Sequence, residues 1–238
     1  MSDPVSFEIV DGAAVVITMD DGKANAVSPA LQSGVNSALD AAEGHSLPVV
    51  LTGRPGFFSA GFDLKTLAAG GQPAVDMLHG GITLAMRLLS HPLPVVVASP
   101  GHAIAMGVFL SLCGDYRIGA DGPYRYVANE VAIGMAMPFS TIELLRQRVT
   151  PAALTRSVLL AEVFTPANAV ANGFLEEVVP PEPWLDPADW QSLVEAADAA
   201  AGAEPLLQPE IAGSGRKADG PGAITPAVPA LRVVSNDR

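Results

Sequence analysis

Two short runs of alternating and then continuous apolar residues at the start of the chain predict a β-hairpin. The runs cover residues 5–10 and 13–19 and flank Asp11-Gly12, a pair typical of the tight type I′ turn. Ser28-Pro29 then predicts a helix start, with serine as the capping residue and proline in the first turn. Apolar residues recur along one face of this helix, at Leu31, Val35 and Leu39.

Strands and helices alternate through the middle of the chain. Short β-type runs at 48–52 and 94–99 are separated by a helical stripe at 76–90, and a strand pair is expected within residues 117–126, around Asp121-Gly122-Pro123. Helices are predicted at 139–149, at 151–160 and from 164, followed by a strand that ends at 179. Such alternation implies right-handed parallel crossovers, so the predicted fold class is α/β.

Two of these strands lead into similar junctions. The strand at 48–52 precedes residues 57–65, which are expected to open a short helix, and the strand at 94–99 precedes a turn at Pro100-Gly101 and a helix at 108–113. Each junction would expose backbone N–H groups, and two of them together could bind a carbonyl oxygen, as an oxyanion hole does. Glycine turns also follow strands in α/β proteins of many other functions, so a purely structural role stays open at this point.

Four motifs in these regions resemble signatures of the crotonase superfamily, the enoyl-CoA hydratases and isomerases. They are GKANAVS at 22–28, FFSAGFDLK at 57–65, GHAIAMGVFLSLCGDYRIGA at 101–120 and ANEVAIGMAMP at 128–138. The resemblance covers residues 5 to about 180 and rests on the order and spacing of the four motifs. It implies a crotonase-like spiral of ββα units that acts on an acyl-CoA substrate.

By this resemblance, the backbone N–H groups of Phe62 and Met106 form the oxyanion hole. Many family members have three glycines where this chain has Ala105-Met106-Gly107, so the methionine side chain is expected to reshape the floor of the acyl pocket. Donation from the main chain survives such a change of side chain. The other residues expected to contact the acyl chain or CoA are Lys23, Ala24, Ala60, Gly61, Asp63, Leu64, Gly107 and Phe109.

The hydratases of this family use two glutamates, and this chain keeps one of them. Glu130 stands at the later position, whereas Phe109 occupies the earlier one, and a phenyl ring moves no proton. A single glutamate can take a proton from the carbon beside a thioester carbonyl and return it elsewhere. The resemblance therefore favours double-bond isomerisation through a thioester enolate. The alternatives are an enoyl-CoA hydratase, another thioester-enolate reaction, or a catalytically silent homologue that acts as a partner subunit.

Several polar residues near the motifs also have simpler interpretations. A lone glutamate such as Glu130 is, without its motif, more often a solvated surface residue. Asp115 is expected to bind backbone amides after a buried helix, and Asp63 to act first as the acid at a helix start. His102 is expected to pack and bond locally, and Cys113 lies in an apolar helix where a catalytic thiol is not expected.

Composition and charge argue against several classes of partner. The 238 residues include 13 Lys or Arg and 25 Asp or Glu, and the net charge of −12 disfavours nucleic acid and anionic membranes. No separate cofactor is expected, since CoA is carried by the substrate, and no histidine spacing indicates a metal. For the CoA phosphates, Lys23 is the first choice of cation, before Arg54 and Lys65. A single cysteine, with no signal-peptide or membrane-span pattern, predicts a cytoplasmic protein.

The chain is expected to divide near residue 180. Residues 1–180 form the crotonase-like core, and the proline-rich segment 181–238 is atypical of the family, with a helix over 187–201 and disorder from 213. Family members end in helices that cover the acyl pocket and build trimers, so the expected homotrimer or dimer of trimers depends on this segment. A changed reading frame and a native tail of different design both account for its composition.

Overall fold

The computed structural model describes residues 3–181 and 194–197, and residues 3–181 form two β-sheets with seven α-helices around them. The larger sheet has the strand order β1-β2-β3-β5-β7-β9, and the smaller one β4-β6-β8. The strands are β1 (Val5–Val10), β2 (Ala14–Met19), β3 (Val49–Thr52), β4 (Gly56–Ser59), β5 (Val95–Ser99), β6 (Gly101–Ile104), β7 (Tyr116–Ala120), β8 (Tyr126–Val127) and β9 (Glu177–Val179). The helices are α1 (Pro29–His45), α2 (Leu64–Ala69), α3 (Gly71–Leu89), α4 (Met106–Leu112), α5 (Phe139–Arg148), α6 (Pro151–Leu160) and α7 (Pro166–Asn172), with a 3-10 turn at Val131–Ile133.

The chain passes through the two sheets in repeated strand–strand–helix turns. After the antiparallel hairpin β1–β2 and helix α1, each turn places one strand in the larger sheet and the next in the smaller sheet. A helix then returns the chain, and every other pairing between these strands is parallel. The α/β class and the spiral of ββα units are therefore confirmed.

Three local predictions are wrong, and all of them concern the smaller sheet. Residues 57–59 end strand β4, so the helix expected over 57–65 begins only at Leu64. Gly101, which is expected in the turn at Pro100-Gly101, is the first residue of strand β6. The expected strand pair within 117–126 does not form, because β7 pairs with β5 and β9 whereas β8 pairs with β6. Strands of two to four residues are too short to show a hydrophobic period in the sequence.

The predicted hairpin and the first helix start are confirmed by backbone geometry. Asp11 and Gly12 have φ values of 49° and 67°, and a type I′ turn requires positive φ at both positions. The Ser28 hydroxyl accepts a hydrogen bond from the Leu31 N–H at 3.3 Å and caps α1. Helix α3 begins at Gly71, earlier than the predicted residue 76, directly after the turn that ends α2.

Apolar side chains cover both faces of the larger sheet. One face belongs to the main core with α1, α3 and α4, and the other carries Val16, Val50, Val96 and Ile118, which cluster with Ala197. Residues 194–197 are helical, as expected within 187–201, whereas the rest of that helix and the disorder expected from 213 lie outside the described residues. The domain boundary near 180 stays a prediction. Among residues 3–181 and 194–197, no helix is long and apolar enough to cross a membrane.

We predict that Gly101→Ala strongly destabilises the protein. A Cβ atom at this position would overlap the backbone of β4 at Gly56 and Phe57, which cannot move aside without separating β4 from β6. We expect a loss of about 3 kcal/mol or more in the free energy of unfolding.

Denaturant unfolding measures this loss, and Gly44→Ala in α1 is the matched control. A Cβ atom at position 44 meets nothing within 4 Å. The control is therefore expected to gain about 0.5–1 kcal/mol from helix propensity. Equal stability of the two variants would contradict the prediction.

Candidate functional site

The two predicted junctions are in contact, backbone against backbone. Gly107, in the first turn of α4, packs on Ser59 at the end of β4, and a Cβ atom at position 107 would lie 2.8 Å from the Ser59 carbonyl carbon. Gly61, with φ of 88°, lies against Ala105, and a Cβ atom there would be 3.2 Å from the Met106 nitrogen. Glycine at both positions therefore lets segment 59–61 approach the start of α4.

The peptide between Gly61 and Phe62 is oriented by a hydrogen bond from the protein scaffold. The Gly61 carbonyl accepts from the Val27 N–H at 2.8 Å, and the Ala60 N–H donates to the Ala24 carbonyl at 2.9 Å. Because the carbonyl and the N–H of a trans peptide point in opposite directions, the Phe62 N–H is directed away from Val27. Within residues 3–181 no protein acceptor takes this N–H, so it is available to a ligand.

The peptide between Ala105 and Met106 is held in the same way. The Ala105 carbonyl accepts from the N–H groups of Val108 at 3.0 Å and Phe109 at 3.3 Å, so the Met106 N–H points out of the helix. Ala105 itself has φ of 49° and ψ of −124°, and its N–H donates to the Val127 carbonyl at 2.8 Å. The Met106 N–H also lacks an acceptor in the part of the chain that the structure describes.

A cavity of about 340 Å³ opens beside these two peptides. Six of the residues proposed from the sequence line it, namely Ala60, Phe62, Leu64, Met106, Phe109 and Glu130. The volume is within the range of small-molecule sites, and the lining is almost entirely apolar. The arrangement fits a ligand with a carbonyl group at one end and a hydrocarbon chain beyond it.

Five other proposed residues do not line the cavity. Lys23 is exposed, and Ala24 supports Ala60 through the hydrogen bond described above. Gly61 and Gly107 act through their backbone contacts. Asp63 caps α2 by accepting from the Lys65 N–H at 3.1 Å and from the Thr66 hydroxyl at 2.7 Å, and the Thr66 hydrogen bond lowers the pKa of Asp63. Any contact of these residues with a substrate stays a prediction.

Glu130 is buried at the wall of the cavity. It is therefore not a solvated surface residue, which is the usual place of a glutamate considered without its motif. The residue follows strand β8 and lies at the start of a 3-10 turn. Its backbone carbonyl accepts hydrogen bonds from the N–H groups of Ile133 at 3.1 Å and Met135 at 2.9 Å. The residue is 8% exposed, and its Oε2 atom has no hydrogen-bond partner in the described part of the chain. Burial raises the pKa of Glu130 above its ordinary value.

Several lining residues were not found from the sequence. Leu78 and Ile82 were expected on a helix stripe but without a role in the site, and they form the α3 wall of the cavity. Asn129 also lines the cavity, and its buried Oδ1 atom has no partner in the part of the chain described. Its position next to Glu130 was the only available signal. The remaining lining residues are Leu67, Ala105, Ile133, Met135, Ala136, Pro138 and Thr141.

The other polar candidates have the local roles expected of them. The Asp115 carboxylate accepts from the Val95 N–H at 2.9 Å, and burial raises the pKa of Asp115. His102 accepts from the Arg125 N–H at 3.1 Å, and burial lowers its pKa. Burial raises the pKa of the Cys113 thiol to about 12, which keeps it protonated. Across residues 3–181 and 194–197, no group of three His, Cys, Asp or Glu side chains is placed to hold a metal.

Comparison with known proteins agrees with this geometry. The family model described as enoyl-CoA hydratase/isomerase matches residues 10–200. The chain is 38% identical over 138 residues to human mitochondrial enoyl-CoA delta isomerase 1, covering 56% of this chain and 45% of that protein. It is 30% identical over 181 residues to a carnitinyl-CoA dehydratase of Salmonella arizonae, covering 75% and 69%. The apo structure of an enoyl-CoA isomerase from Mycobacterium tuberculosis matches with a TM-score of 0.75 and 47% identity, over 86% of this chain and 87% of that one.

The lengths of these proteins differ. The matched region spans about half the length of the curated delta isomerases, 47% in the mouse protein and 45% in the human one.

We predict that Glu130→Gln stabilises the protein at neutral pH. Burial raises the folded-state pKa of Glu130 above 4.5, so the stabilising contribution of this group is complete below its unfolded pKa and is lost as the pH rises through its folded pKa. At about pH 7 the wild type holds a buried charge that glutamine lacks, and the variant is expected to gain about 1 kcal/mol.

Thermal unfolding at about pH 4 and about pH 7 checks this prediction. The difference in melting temperature between the variant and the wild type should shrink toward the acid condition, because Glu130 is then mostly protonated in the folded and in the unfolded protein. A variant that melts below the wild type at neutral pH would show that the carboxylate is well solvated or paired.

Proposed function

Because the chain belongs to the enoyl-CoA hydratase/isomerase family, we propose that it is an acyl-CoA-processing enzyme that converts a 3-enoyl-CoA into the 2-enoyl-CoA. One observation carries this proposal. Among the described residues that line the cavity, Glu130 is the one carboxylate, and the apolar Phe109 stands where the resemblance places the second glutamate of a hydratase. The described part of the site therefore has one carboxylate that can move a proton and no second carboxylate beside it to activate water.

The proposed reaction begins at the thioester carbonyl. Its oxygen accepts hydrogen bonds from the N–H groups of Phe62 and Met106, which draw electron density onto the oxygen and acidify the C–H bonds at C2. Ionised Glu130 takes one proton from C2, and the electron pair of that C–H bond moves into a dienolate that extends from the oxygen to C4. The two donors stabilise the negative charge on the oxygen.

The second step returns the same proton. Protonated Glu130 delivers it to C4, the double bond moves from C3–C4 to C2–C3, and the carbonyl and the carboxylate are both restored. No atom is gained or lost, so one glutamate is sufficient. Burial of Glu130 supports this cycle, because a carboxylate with a raised pKa is a stronger base toward carbon and gives the proton back less readily to water.

We place the phosphates of CoA beside the exposed cations Lys23 and Lys65 and the half-buried Arg54, which also pairs with Asp20 at 3.5 Å. The Arg54 Nη1 atom donates to the backbone carbonyl of Lys23 at 2.8 Å, so the Arg54 guanidinium lies against the main chain at Lys23. Lys65 directly follows Leu64, which lines the cavity and is 72% exposed. This exposed rim supports an approach of CoA from the side of α2.

Two alternative functions are each supported by one observation. The identity to a carnitinyl-CoA dehydratase supports addition or removal of water at the same thioester enolate. The side chains of Ala105 and Met106, in place of glycines, support a catalytically silent homologue that serves as a partner subunit, because both take up room beside the N–H donors.

The assembly and the location of the protein remain predictions. A homotrimer or dimer of trimers is supported by Ile133 and Phe139, which are apolar but 53% and 60% exposed and would be buried in a subunit interface. The cytoplasmic location rests on the sequence features given above.

We predict that the purified protein converts 3-hexenoyl-CoA to 2-hexenoyl-CoA and that Glu130→Gln lowers kcat by about 100-fold to 10,000-fold. Glutamine fills the same space without a transferable proton, so KM is expected to change little. The absorbance of the conjugated product measures the rate, and 2-hexenoyl-CoA offered in parallel measures hydration.

Each result of this experiment points to one function. Isomerisation that disappears in Glu130→Gln supports the proposed reaction, and faster hydration than isomerisation supports the dehydratase-like alternative. Silence of a folded wild type toward both substrates supports the partner subunit. Isomerisation that persists in the variant would contradict the role of Glu130.

We further predict that kcat/KM for isomerisation rises with pH through the pKa of Glu130. The ionised form is the active base, so activity is lost on the acid side, and burial places the midpoint above the ordinary value of 4.5. A pH profile of kcat/KM, recorded where circular dichroism shows the fold intact, checks this. A midpoint below 4.5 would mean that Glu130 is stabilised as an anion, contrary to its burial.

A further inference from the structure

Helix α3 forms one wall of the cavity, and this wall has a gap. Leu78 and Ile82 lie one turn apart on the helix and both line the cavity. Gly81 lies between them along the chain and is buried, but it contributes no side chain to the wall. On this face of α3, the space that a larger side chain at position 81 would fill is therefore occupied by a side chain from another segment.

The group in this space is the ring of Phe62. A Cβ atom built at position 81 would lie 2.5 Å from Cζ of Phe62, and it would come closer still to Cε1. Real carbon atoms do not approach so closely, so the ring rests directly on the main chain of α3. Phe62 is also the residue whose N–H is proposed to bind the thioester oxygen, and its side chain lines the cavity next to that point.

The wall behind the ring cannot retreat. Gln32 of α1 lies behind α3 and is 7% exposed, and its Nε2 atom donates to the Met77 carbonyl at 2.9 Å and to the Val27 carbonyl at 3.2 Å. Gly80 packs so closely on Gln32 that a Cβ atom there would overlap its Oε1 atom. Helix α3 is thus fixed against α1, and a ring displaced from Gly81 has to move into the cavity.

We propose that Gly81 determines the acyl-chain specificity of this site by holding the Phe62 ring out of the acyl pocket. The proposal rests on the proposed function only in that the acyl chain of a CoA thioester occupies the cavity. The Phe62 ring forms a side wall of the pocket, and its contact with Gly81 sets the width of the pocket beyond the reacting carbons. A side chain at position 81 narrows the pocket for long chains and leaves the carboxylate and both N–H donors in place.

The test compares Gly81→Ala with the wild type on 3-hexenoyl-CoA and 3-dodecenoyl-CoA. Loss of about one methylene of room in an apolar pocket changes kcat/KM by about tenfold or more. We expect the ratio of kcat/KM for the long chain to that for the short chain to fall by about tenfold. An unchanged ratio, or an equal fall for both chains, would overturn the proposal, since an equal fall means that the N–H donors were displaced instead.

A double-mutant cycle identifies the ring as the cause. In Phe62→Leu the shorter side chain no longer fills the space above position 81. Adding Gly81→Ala to this variant should therefore change the long-chain to short-chain ratio of kcat/KM by less than about twofold. Phe62→Leu alone should shift the ratio toward the long chain, which provides a second test if Gly81→Ala does not fold. A long-chain preference that falls equally in both backgrounds would overturn the proposal.

Gly80→Ala is the matched control, because it makes the same change in the same helix but meets Gln32 instead of Phe62. It is expected to lower stability and to leave the chain-length ratio as in the wild type. A ratio that shifts as much as in Gly81→Ala would show that any disturbance of α3 has this effect, which would also overturn the proposal.

Binding measurements separate this proposal from the proposed reaction. Hexanoyl-CoA and dodecanoyl-CoA have no double bond to move, and calorimetry gives their dissociation constants for the wild type and for Gly81→Ala. A tenfold selective weakening of dodecanoyl-CoA supports the role of Gly81 even if no 3-enoyl-CoA is turned over. Equal binding of both thioesters by both proteins would overturn it whatever the wild type catalyses.

Discussion

The structure of the site depends on a close contact between two backbones. Segment 59–61 and the first turn of α4 belong to successive strand–strand–helix turns, and they touch because Gly61 and Gly107 have no side chains. Any larger residue would push the two peptides apart, and with them the two N–H groups, which have no acceptor among the described residues. Gly101 extends the same requirement to the pairing of β4 with β6. The smaller sheet, which the hydrophobic pattern does not reveal, is therefore the element that brings the donors together.

The apolar cavity acts on both chemical parts of the site. Removing water from Glu130 raises the pKa of its carboxylate, which destabilises the ionised protein and makes the carboxylate a better base. The same lack of water strengthens hydrogen bonds from the Phe62 and Met106 N–H groups to an oxygen on which negative charge develops. The low polarity of the lining therefore lowers the stability of the ionised protein and, in the proposed reaction, raises the basicity of Glu130.

The sequence predicts those parts of the molecule that have a long period or a strong local signal. Helix α1 and its cap at Ser28, the hairpin at Asp11-Gly12 and the buried strands of the larger sheet are of this kind. Glu130 and the two N–H donors were proposed from motif context, because no pattern of burial marks them. The partner of Gly81 and the cavity lining by Asn129 depend on contacts between distant segments, which no local pattern contains.

At Ala105 the main chain orients an N–H donor, whereas the neighbouring side chains shape the pocket. An alanine at φ of 49° and ψ of −124° costs about 1–3 kcal/mol, and hydrogen bonds at its N–H and its carbonyl hold it there. This strained conformation sets the direction of the Met106 N–H. The direction would be the same with glycine at position 105 or with another side chain at position 106. In the proposed reaction, polarisation of the thioester is thus a property of the main chain, and the side chains of Phe62 and Met106 are free to shape the pocket. Selectivity can then change through the fit of a ring on Gly81, while the donors and the carboxylate stay in place.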